Sequence, residues 1–575
     1  MNYFVMYWKK VTKEIKTKNK RKQFNSLTSN TSRIQFLYYF CEKNVKYDLS
    51  TSVPKDFEGA KALEDKGNKL FRTGDNSKAI KVYNEAIKIC PQDNLKSLQL
   101  YGILIEKRSS VFFAQRKYHK GLQDVAFLKQ YGYHPNLKIF KSRERKALEA
   151  LRKSGCEINN INNKSNEIIN EEMTWYSGNI TYPALSNKLT VKQNDVMGRH
   201  VVAVDDIKTG EIIAVEVPSA SVIENKTNCA HCAISTNQIY ACFKCQEIYC
   251  SLQCLENAKV YHQYECSISS ALFTDDLGYV RLVLRMVTQR PLAKIIQNTD
   301  DYYNVNELIQ HADEPESEEM LQVTFTAVFL LKLLKTTNYF TSSTRNKELT
   351  KEEIMIGELF LKYLKILRHN AHAIREMPNC KMAENSVEIG VGLYPTIALF
   401  NHSCDPSVIK YNINNLIVLR SIKPIKTGDV VYDNYGPAYF NMRKDKRINL
   451  LKRCYRFTCN CSACIDDWPL FKEISLFDND ILIKHSSISS VEEHLNLLLL
   501  KLNQMEDPYL SGHFESARKL YAEILDTLLS FFTPLNVNIH HIKQRLKYCI
   551  QHRGNKKIDF YVFFLYISLR KFKKT

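Results

Sequence analysis

The chain has 575 residues, which leaves room for about four domains at roughly 150 residues each. Its 81 Lys and Arg residues outnumber its 61 Asp and Glu residues, giving a formal net charge of +20. This charge could attract an acidic protein surface or nucleic acid, but solvated lysine faces on helices are the simpler interpretation. No apolar run reaches the ~20 residues of a spanning helix, so we expect neither a membrane-spanning helix nor a membrane partner.

The N-terminal stretch, residues 1–55, is basic and polar, and we predict a solvated arm there. The run Lys18–Lys22 is a weak candidate for a nuclear-import signal. Met1–Trp8 is apolar with basic residues behind it, the reverse of the order in a secretory signal. The 17 cysteines are therefore expected to be reduced thiols and metal ligands, in a protein of the nucleus and cytoplasm.

From Ala60 onward the hydrophobic pattern becomes helical, with small and aromatic residues at fixed offsets typical of tetratricopeptide repeats. Small residues at these offsets let paired helices approach, while the aromatic ring fills the gap between them. The pattern predicts helical hairpins here and near the C-terminus, with Leu137–Leu151 as a further partial pair. The matching sets are Gly67, Leu70, Gly74, Ala79, Tyr83, Ile87 and Pro91; Tyr118, Gly121, Leu122, Ala126 and Pro135; and Gly512, Ala517, Tyr521 and Leu525.

The middle of the chain alternates between strand and helix signals, which predicts an α+β fold. The Asn-rich stretch Asn159–Glu172 is typical of a linker. Strand patterns follow at 188–224, helical periodicity fills 268–375, and helices are expected again after Asp467. Further strand signals lie at Val408–Tyr411, Leu416–Arg420 and Val430–Tyr432. The tail 556–575 is aromatic and aliphatic without a clear period, and no physical account of it follows from the sequence.

Eight potential zinc ligands lie within 38 residues, and a second group of cysteines follows far downstream. Zn²⁺ in structural sites takes four tetrahedral N or S donors, so eight donors predict two closed sites. Metal binding should supply much of the folding free energy of so short a segment. Spacing alone leaves open which pairs share an ion. The eight are Cys229, Cys232, Cys242, Cys245, Cys250, Cys254, His262 and Cys266; the downstream group is Cys459, Cys461 and Cys464, to which Cys404 is a candidate fourth ligand.

The hexapeptide Asn401–Pro406 (NHSCDP) resembles the signature of SET-domain lysine methyltransferases. Gly390–Pro395 (GVGLYP) resembles the run that leads into it in SET- and MYND-domain proteins. The zinc-ligand segment, with Tyr249 before Cys250 and Tyr261 before His262, resembles a MYND finger. Over residues 188–467 the chain thus resembles the SET- and MYND-domain protein-lysine methyltransferases, and its hairpins indicate the type with N-terminal tetratricopeptide repeats.

The resemblance implies a SET β-fold split by a two-zinc MYND finger and a helical insert, between N- and C-terminal helical repeats. The expected domains are a basic arm (1–55), tetratricopeptide-like repeats (56–155), a linker (156–187), the first SET part (188–228), the MYND finger (229–266), the helical SET insert (267–375), the SET core (376–440), a post-SET zinc segment (441–467) and a C-terminal tetratricopeptide-like domain (468–575).

The resemblance also implies how the zinc ligands pair. In the MYND finger the pairing interleaves, and the third zinc, after the SET core, ties the C-terminal segment beside the active site. The implied sets are Cys229, Cys232, Cys250 and Cys254; Cys242, Cys245, His262 and Cys266; and Cys404, Cys459, Cys461 and Cys464.

The methyl donor implied is S-adenosylmethionine, with the phenol of Tyr435 beside the transferring methyl group and in contact with the donor. The other residues that the resemblance assigns to the donor are Asn401, His402, Asn370, Tyr455 and Phe457, together with the loop residues Gly198, Arg199 and His200. Tyr455 and Phe457 also close the lysine channel. SET domains have Gly-x-Gly in that loop, so the β-carbon of His200 is expected to limit close backbone approach and positive φ.

Two functions of different class follow. The first is methylation of a lysine on a histone or another protein. The second is a scaffold or corepressor adaptor with a weak or inactive SET domain, which recruits partners. The partners implied are proline-motif or corepressor proteins at the MYND finger and a peptide at the tetratricopeptide-like helices. Direct nucleic-acid binding is not expected, because the basic surface lacks interleaved aromatic residues or a base-reading helix.

Overall fold

The structure is a computed structural model, and it describes most of the chain in several ranges. These are residues 3–45, 55–133, 137–153, 178–272, 278–297, 303–310, 318–340, 348–378, 386–474 and 513–556, with short pieces at 496–497 and 500. The predicted linker at 159–172 and almost all of the tail 556–575 lie outside these residues.

The N-terminal stretch folds into three helices: α1 (Tyr3–Thr17), α2 (Arg21–Asn25) and α3 (Asn30–Asn44). The prediction of a solvated arm is therefore wrong. Phe4, Tyr7, Val11 and Ile15 recur at helical spacing on α1 and are all buried. They enter one hydrophobic core with helices from the middle of the chain, and Phe4 lies 5.4 Å from Phe325, ring to ring. The lysines that dominate the composition lie on the opposite, solvent-facing side of this apolar stripe.

Five helices follow: α4 (Phe57–Arg72), α5 (Asn76–Ile89), α6 (Leu95–Ala114), α7 (Tyr118–Gln130) and α8 (Leu137–Lys153). They pack as the predicted hairpins, α4 on α5 and α6 on α7. Close approach is sterically required at Gly67, where a β-carbon would lie 2.6 Å from the ring of Tyr83. Tyr83 fills the gap between its helices and donates a hydrogen bond to Asn68 (2.8 Å).

The β structure consists of small antiparallel sheets. The strands are β1 (Leu189–Asn194), β2 (Gly198–Ala203), β3 (Ile212–Glu216), β4 (Ala220–Ile223), β5 (Tyr240–Ala241), β6 (Ile248–Tyr249), β7 (Ala371–Glu376), β8 (Val387–Leu393), β9 (Val408–Ile413) and β10 (Leu416–Ser421). They pair as β1–β2, β3–β10–β9, β4–β8–β7 and β5–β6. The predicted strand at Val430–Tyr432 is reduced to a single bridge between Val430 and Val202.

The helical insert follows the finger helix α9 (Leu252–Glu265). It contains α10 (Ser269–Leu272), α11 (Gly278–Thr288), α12 (Leu292–Gln297), α13 (Tyr303–Asn306), α14 (Glu318–Lys335) and α15 (Lys351–Asn370). The predicted insert ended at residue 375, but α15 ends at Asn370. From Ala371 the chain pairs with β8, and this pairing overrides the helical periodicity. Among the helices of the described residues, none has the length and apolarity to cross a membrane.

The C-terminal part comprises α16 (Lys444–Tyr455), α17 (Ser462–Ile465), α18 (Phe514–Phe531) and α19 (Val537–Gln551). The hairpin of α18 and α19 does not form a separate body. Tyr521 and Leu525 of α18 are buried in one core with Tyr411 of β9 and Val418 of β10, in the β3–β10–β9 sheet, called the SET sheet below. The hairpin therefore forms a fixed wall beside β9 and β10.

Replacing Leu37 of α3 by alanine should destabilise the helical core by ~2–5 kcal/mol, because the fully buried side chain leaves a cavity against α14 and α15. The measurement is the urea concentration at which the helical core unfolds. Leu98→Ala, at a leucine that is 40% exposed on α6, serves as the control and should leave that midpoint unchanged. Equal midpoints for both variants would contradict the packing of the N-terminal helices.

Candidate active site and metal centres

The eight ligands of the finger converge into two groups, in the interleaved pairing that the resemblance implied. Within each group every ligand atom lies within 4.8 Å of the others. Cys250 Sγ lies 3.6 Å from the Sγ atoms of both Cys232 and Cys254. His262 Nε2 lies 3.1 Å from Cys242 Sγ. Tetrahedral zinc with Zn–S bonds of ~2.3 Å holds two sulfurs about 3.8 Å apart, whereas a disulfide needs ~2.05 Å. The donor sets therefore fit zinc.

A third group joins Cys404 to Cys459, Cys461 and Cys464. Cys404 Sγ lies 3.5 Å from Cys464 Sγ, and the Cys404 amide points at Cys461 Sγ from 3.4 Å. The buried guanidinium of Arg447 donates to Cys464 Sγ (3.6 Å), which favours the thiolate. Four sulfur donors close a tetrahedral site and leave no position for water, so the role that fits this group is structural.

The finger shares its core with the helical hairpins. Ile239, Tyr240 and Ile248 belong to the same buried cluster as α5, α6 and α7. At this contact Arg108 and Asp124 form a fully buried ion pair (2.6 Å). Arg108 also donates to the Ile239 carbonyl (2.7 Å), and Tyr240 donates to Asp124 (2.9 Å). Because both charges are paired and further hydrogen-bonded, the contact tolerates their burial. Protein packing thus supports the finger in addition to metal.

The hexapeptide Asn401–Pro406 lies alongside the segment that carries Tyr435. His402 forms a parallel bridge with Asp433. Asp433 N–H donates to the Asn401 carbonyl (2.8 Å), and Ser403 N–H donates to the Asp433 carbonyl (2.9 Å). These main-chain bonds bring together residues that lie thirty or more positions apart in the sequence.

His402 and Tyr435 are in direct contact. The Tyr435 N–H donates to Nδ1 of His402 (3.0 Å), so this ring nitrogen carries no proton. Burial lowers the pKa of His402 to about 4, and the ring is neutral at pH 7. The Tyr435 hydroxyl donates to the Phe400 carbonyl (2.8 Å), and burial raises the pKa of this phenol. Tyr435 is therefore protonated at neutral pH and can orient a neighbour but not act as a base.

Aromatic rings surround Tyr435. The Tyr455 ring lies 4.8 Å away and the Phe457 ring 6.4 Å away, centroid to centroid. The Tyr455 hydroxyl also donates to the Tyr435 carbonyl (3.3 Å). His369 Nδ1 contacts the Cys454 carbonyl (3.1 Å), which fixes the end of α15 beside Tyr455.

The residues assigned to the donor are linked by short segments. Asn401 donates from its side chain to the Met197 carbonyl (3.0 Å) in the turn before Gly198. Asn370 donates to the carbonyls of Ile309 (3.0 Å) and Ile366 (2.7 Å), and the Arg199 guanidinium donates to the nearby Glu307 carbonyl. The β1–β2 turn, the end of α15 and the hexapeptide therefore meet at one edge of the SET core.

His200 takes an ordinary strand position in β2, opposite Lys192. In this loop the left-handed conformation falls on Gly198, with φ of +63°, and not on residue 200. The expected conflict with positive φ is therefore absent. The imidazole is buried, and its Nδ1 lies 2.9 Å from the Gly198 carbonyl. The expectation that the side chain of His200 limits close approach to the loop backbone therefore rests on its bulk and not on its φ angle.

Tyr435 lines a cavity of about 570 Å³ between the SET sheet and the C-terminal hairpin. Lys410 and Asp433 form an ion pair on its wall. Lys547 and Gln551 of α19 also line the cavity. The sequence patterns did not indicate these two residues, which lie more than a hundred positions from Tyr435. No local signal could have found them, since only the packing of α19 on β9 brings them to the cavity.

Comparisons with known proteins match the part of the chain that carries this site. The SET domain model matches residues 333–436. "SET domain-containing protein 3" of Caenorhabditis elegans is 24% identical over 51% of this chain and 63% of its own length. "Protein-lysine N-methyltransferase SMYD4" of Mus musculus is 24% identical over 52% of this chain and 47% of its own. "N-lysine methyltransferase SMYD2" of Rattus norvegicus is 24% identical over 42% and 52%.

The chain contains a match to the SET domain and is similar to SET- and MYND-domain proteins. The matches to the three relatives span 47% to 63% of the relatives' own lengths. The match to a solved structure, the SET domain of LSMT bound to lysine and AdoHcy, covers 67% of this chain and 90% of that chain, at 13% identity and a TM-score of 0.23.

We expect this protein to be purified with three zinc ions per chain, one for each ligand group. Cys250→Ser and Cys461→Ser should each lose one ion, because a hydroxyl is a poor substitute for a thiolate. The measurement is zinc content by mass spectrometry. Cys454→Ser, at a neighbouring cysteine outside the ligand groups, should keep all three. Loss of zinc from Cys454→Ser but not from Cys461→Ser would contradict the assignment.

Proposed function

We propose that this SET- and MYND-domain protein is a protein-lysine N-methyltransferase. It transfers a methyl group from S-adenosylmethionine to a lysine of a histone or another protein. The observation that carries the proposal is the position of Tyr435. Its protonated phenol ring packs against the ring of His402, with centroids 5.3 Å apart, and lines the cavity of about 570 Å³.

The residues present fit the donor. A sulfonium ion is stabilised by carbonyl and amide groups and destabilised by nearby cations. His402 is neutral, Asn401 and Asn370 are amides, and the Arg199 guanidinium is engaged by the Glu307 carbonyl. Open space surrounds Gly198, where no atom lies within 4 Å of an added β-carbon. Bound there, S-adenosylmethionine would supply an electrophilic methyl group.

The chain's own residues prepare the acceptor. A substrate lysine must lose its proton before attack, and an aromatic, poorly hydrated channel favours the neutral amine. Tyr435 and Tyr455 offer the rings of such a channel, with centroids 4.8 Å apart. The Tyr435 hydroxyl then orients the amine toward the methyl group. Alignment of two reactants lowers the barrier by several kcal/mol, up to ~7–11 kcal/mol at the upper end.

The proposal also includes binding of partner proteins by the finger and the N-terminal hairpins. The MYND finger would hold proline-motif or corepressor proteins, and the N-terminal hairpins, as tetratricopeptide repeats, would hold a peptide partner. The protein would act in the nucleus and cytoplasm. The competing function is a scaffold with a weak or silent SET domain, which the buried imidazole of His200 favours. Donor binding separates the two functions.

Calorimetric titration with S-adenosylmethionine should show micromolar binding. Asn401→Ala should abolish it, because this side chain holds the Met197 turn against the hexapeptide. Asn257→Ala, at an exposed asparagine of the finger helix α9, should bind normally and serves as the control. No binding by the parent protein would favour the scaffold.

Tyr435→Phe should lower methyl transfer roughly 100-fold while donor affinity stays within about twofold, because the lost hydroxyl orients the amine and not the donor. The measurement is transfer of radiolabelled methyl groups onto a cell extract, followed by mapping of the modified lysines. Tyr439→Phe removes a hydroxyl outside the cavity and should retain the parent rate. Equal turnover by Tyr435→Phe and the parent would rule out this role.

A further inference from the structure

The charges on the wall of the 570 Å³ cavity are almost all paired. Arg375 pairs with Glu388 (3.4 Å), and Lys410 pairs with Asp433. Lys547 differs from them. Within the described part of the chain no carboxylate forms an ion pair with its ammonium, which lies 5.6 Å above the ring of Phe440.

The nearest carboxylate is already engaged. Asp405 accepts from Lys543 (2.6 Å) and from Lys423 (3.0 Å), and it is largely buried. Lys543 precedes Lys547 by one helical turn on α19, so two ammonium groups lie on the same face. Burial and then the charge of Lys543 lower the pKa of Lys547 to about 7. This corner of the cavity has more lysines than carboxylates, and without a partner Lys547 is only about half protonated at pH 7, so an entering carboxylate would stabilise its protonated form.

We propose that Lys547 determines substrate specificity by binding an aspartate or glutamate side chain near the target lysine. This inference rests on the proposed function, since the same cavity admits the substrate lysine at Tyr435. Gln551, one turn further along α19 and also on the cavity wall, can hydrogen-bond the backbone of the same peptide.

The physical reason is electrostatic. An entering carboxylate would relieve the repulsion between Lys543 and Lys547 and would form a charge-assisted hydrogen bond. In a partly buried cavity such a bond is stronger than at a surface. The hairpin that carries Lys547 shares a buried core with β9 and β10, so the ammonium is held at a fixed place relative to the sheet. A fixed cation selects for position as well as for charge.

The test uses the full-length protein and an immobilised peptide library with lysine at the centre and random neighbours. Binding should enrich Asp and Glu at one position beside the lysine. Lys547→Met should remove that enrichment and weaken binding of the selected Glu peptide about tenfold, while its Gln counterpart binds as before. Lys547→Arg should keep the preference. Lys519→Met, at an exposed lysine of α18, loses the same charge outside the cavity and should also keep it.

Absence of an acidic preference in the parent, or an unchanged preference in Lys547→Met, would overturn the proposal. Unchanged binding of the Gln peptide by Lys547→Met shows that the variant is folded. Peptide binding and methyl transfer are measured separately. If acidic peptides bind through Lys547 but none is methylated, the proposed enzyme fails while the specificity site stands.

Discussion

Two main-chain hydrogen bonds between the hexapeptide Asn401–Pro406 and the Asp433–Tyr435 segment are the constraint on which the site depends. They place the neutral ring of His402 under Tyr435. The next residues along the hexapeptide bring Cys404 to the thiolate group of the post-SET segment. That group in turn fixes the chain that carries Tyr455 and Phe457. The hexapeptide, the phenol of Tyr435 and the two aromatic rings are thus positioned by one crossing of two segments.

Hydrophobic packing divides the molecule differently from its motifs. The N-terminal helices and the SET insert form a single core that also includes Val391 and Leu393 of β8. The finger shares a core with the N-terminal hairpins, and the C-terminal hairpin shares one with β9 and β10. Segments that flank the SET sequence therefore support the sheet directly. The finger is held by packing against helices as well as by its metal ligands.

The sequence predicted what depends on local chemistry. The close spacing of the cysteines indicated the ligand groups, because zinc chemistry restricts the residue types, and the resemblance carried by the hexapeptide indicated Tyr435. The sequence did not predict features that depend on packing between residues far apart along the chain. On α1 the apolar stripe at Phe4 and Tyr7 was hidden within a lysine-rich composition, and its partners lie some three hundred residues away. At Ala371 strand pairing with β8 ended the helix, and no local pattern indicates that boundary.

Charged side chains at a contact inside the fold differ from Lys547 on the cavity wall. The buried ion pair of Arg108 and Asp124, between the hairpins and the finger, makes further hydrogen bonds to the Ile239 carbonyl and the Tyr240 hydroxyl. The ammonium of Lys547 is not closed in this way, although it lies on a helix whose opposite face is firmly packed. Burying a cation without a partner costs folding free energy. A protein can retain such a cost when the missing partner arrives with a ligand, and Lys547 lines the same cavity as Tyr435.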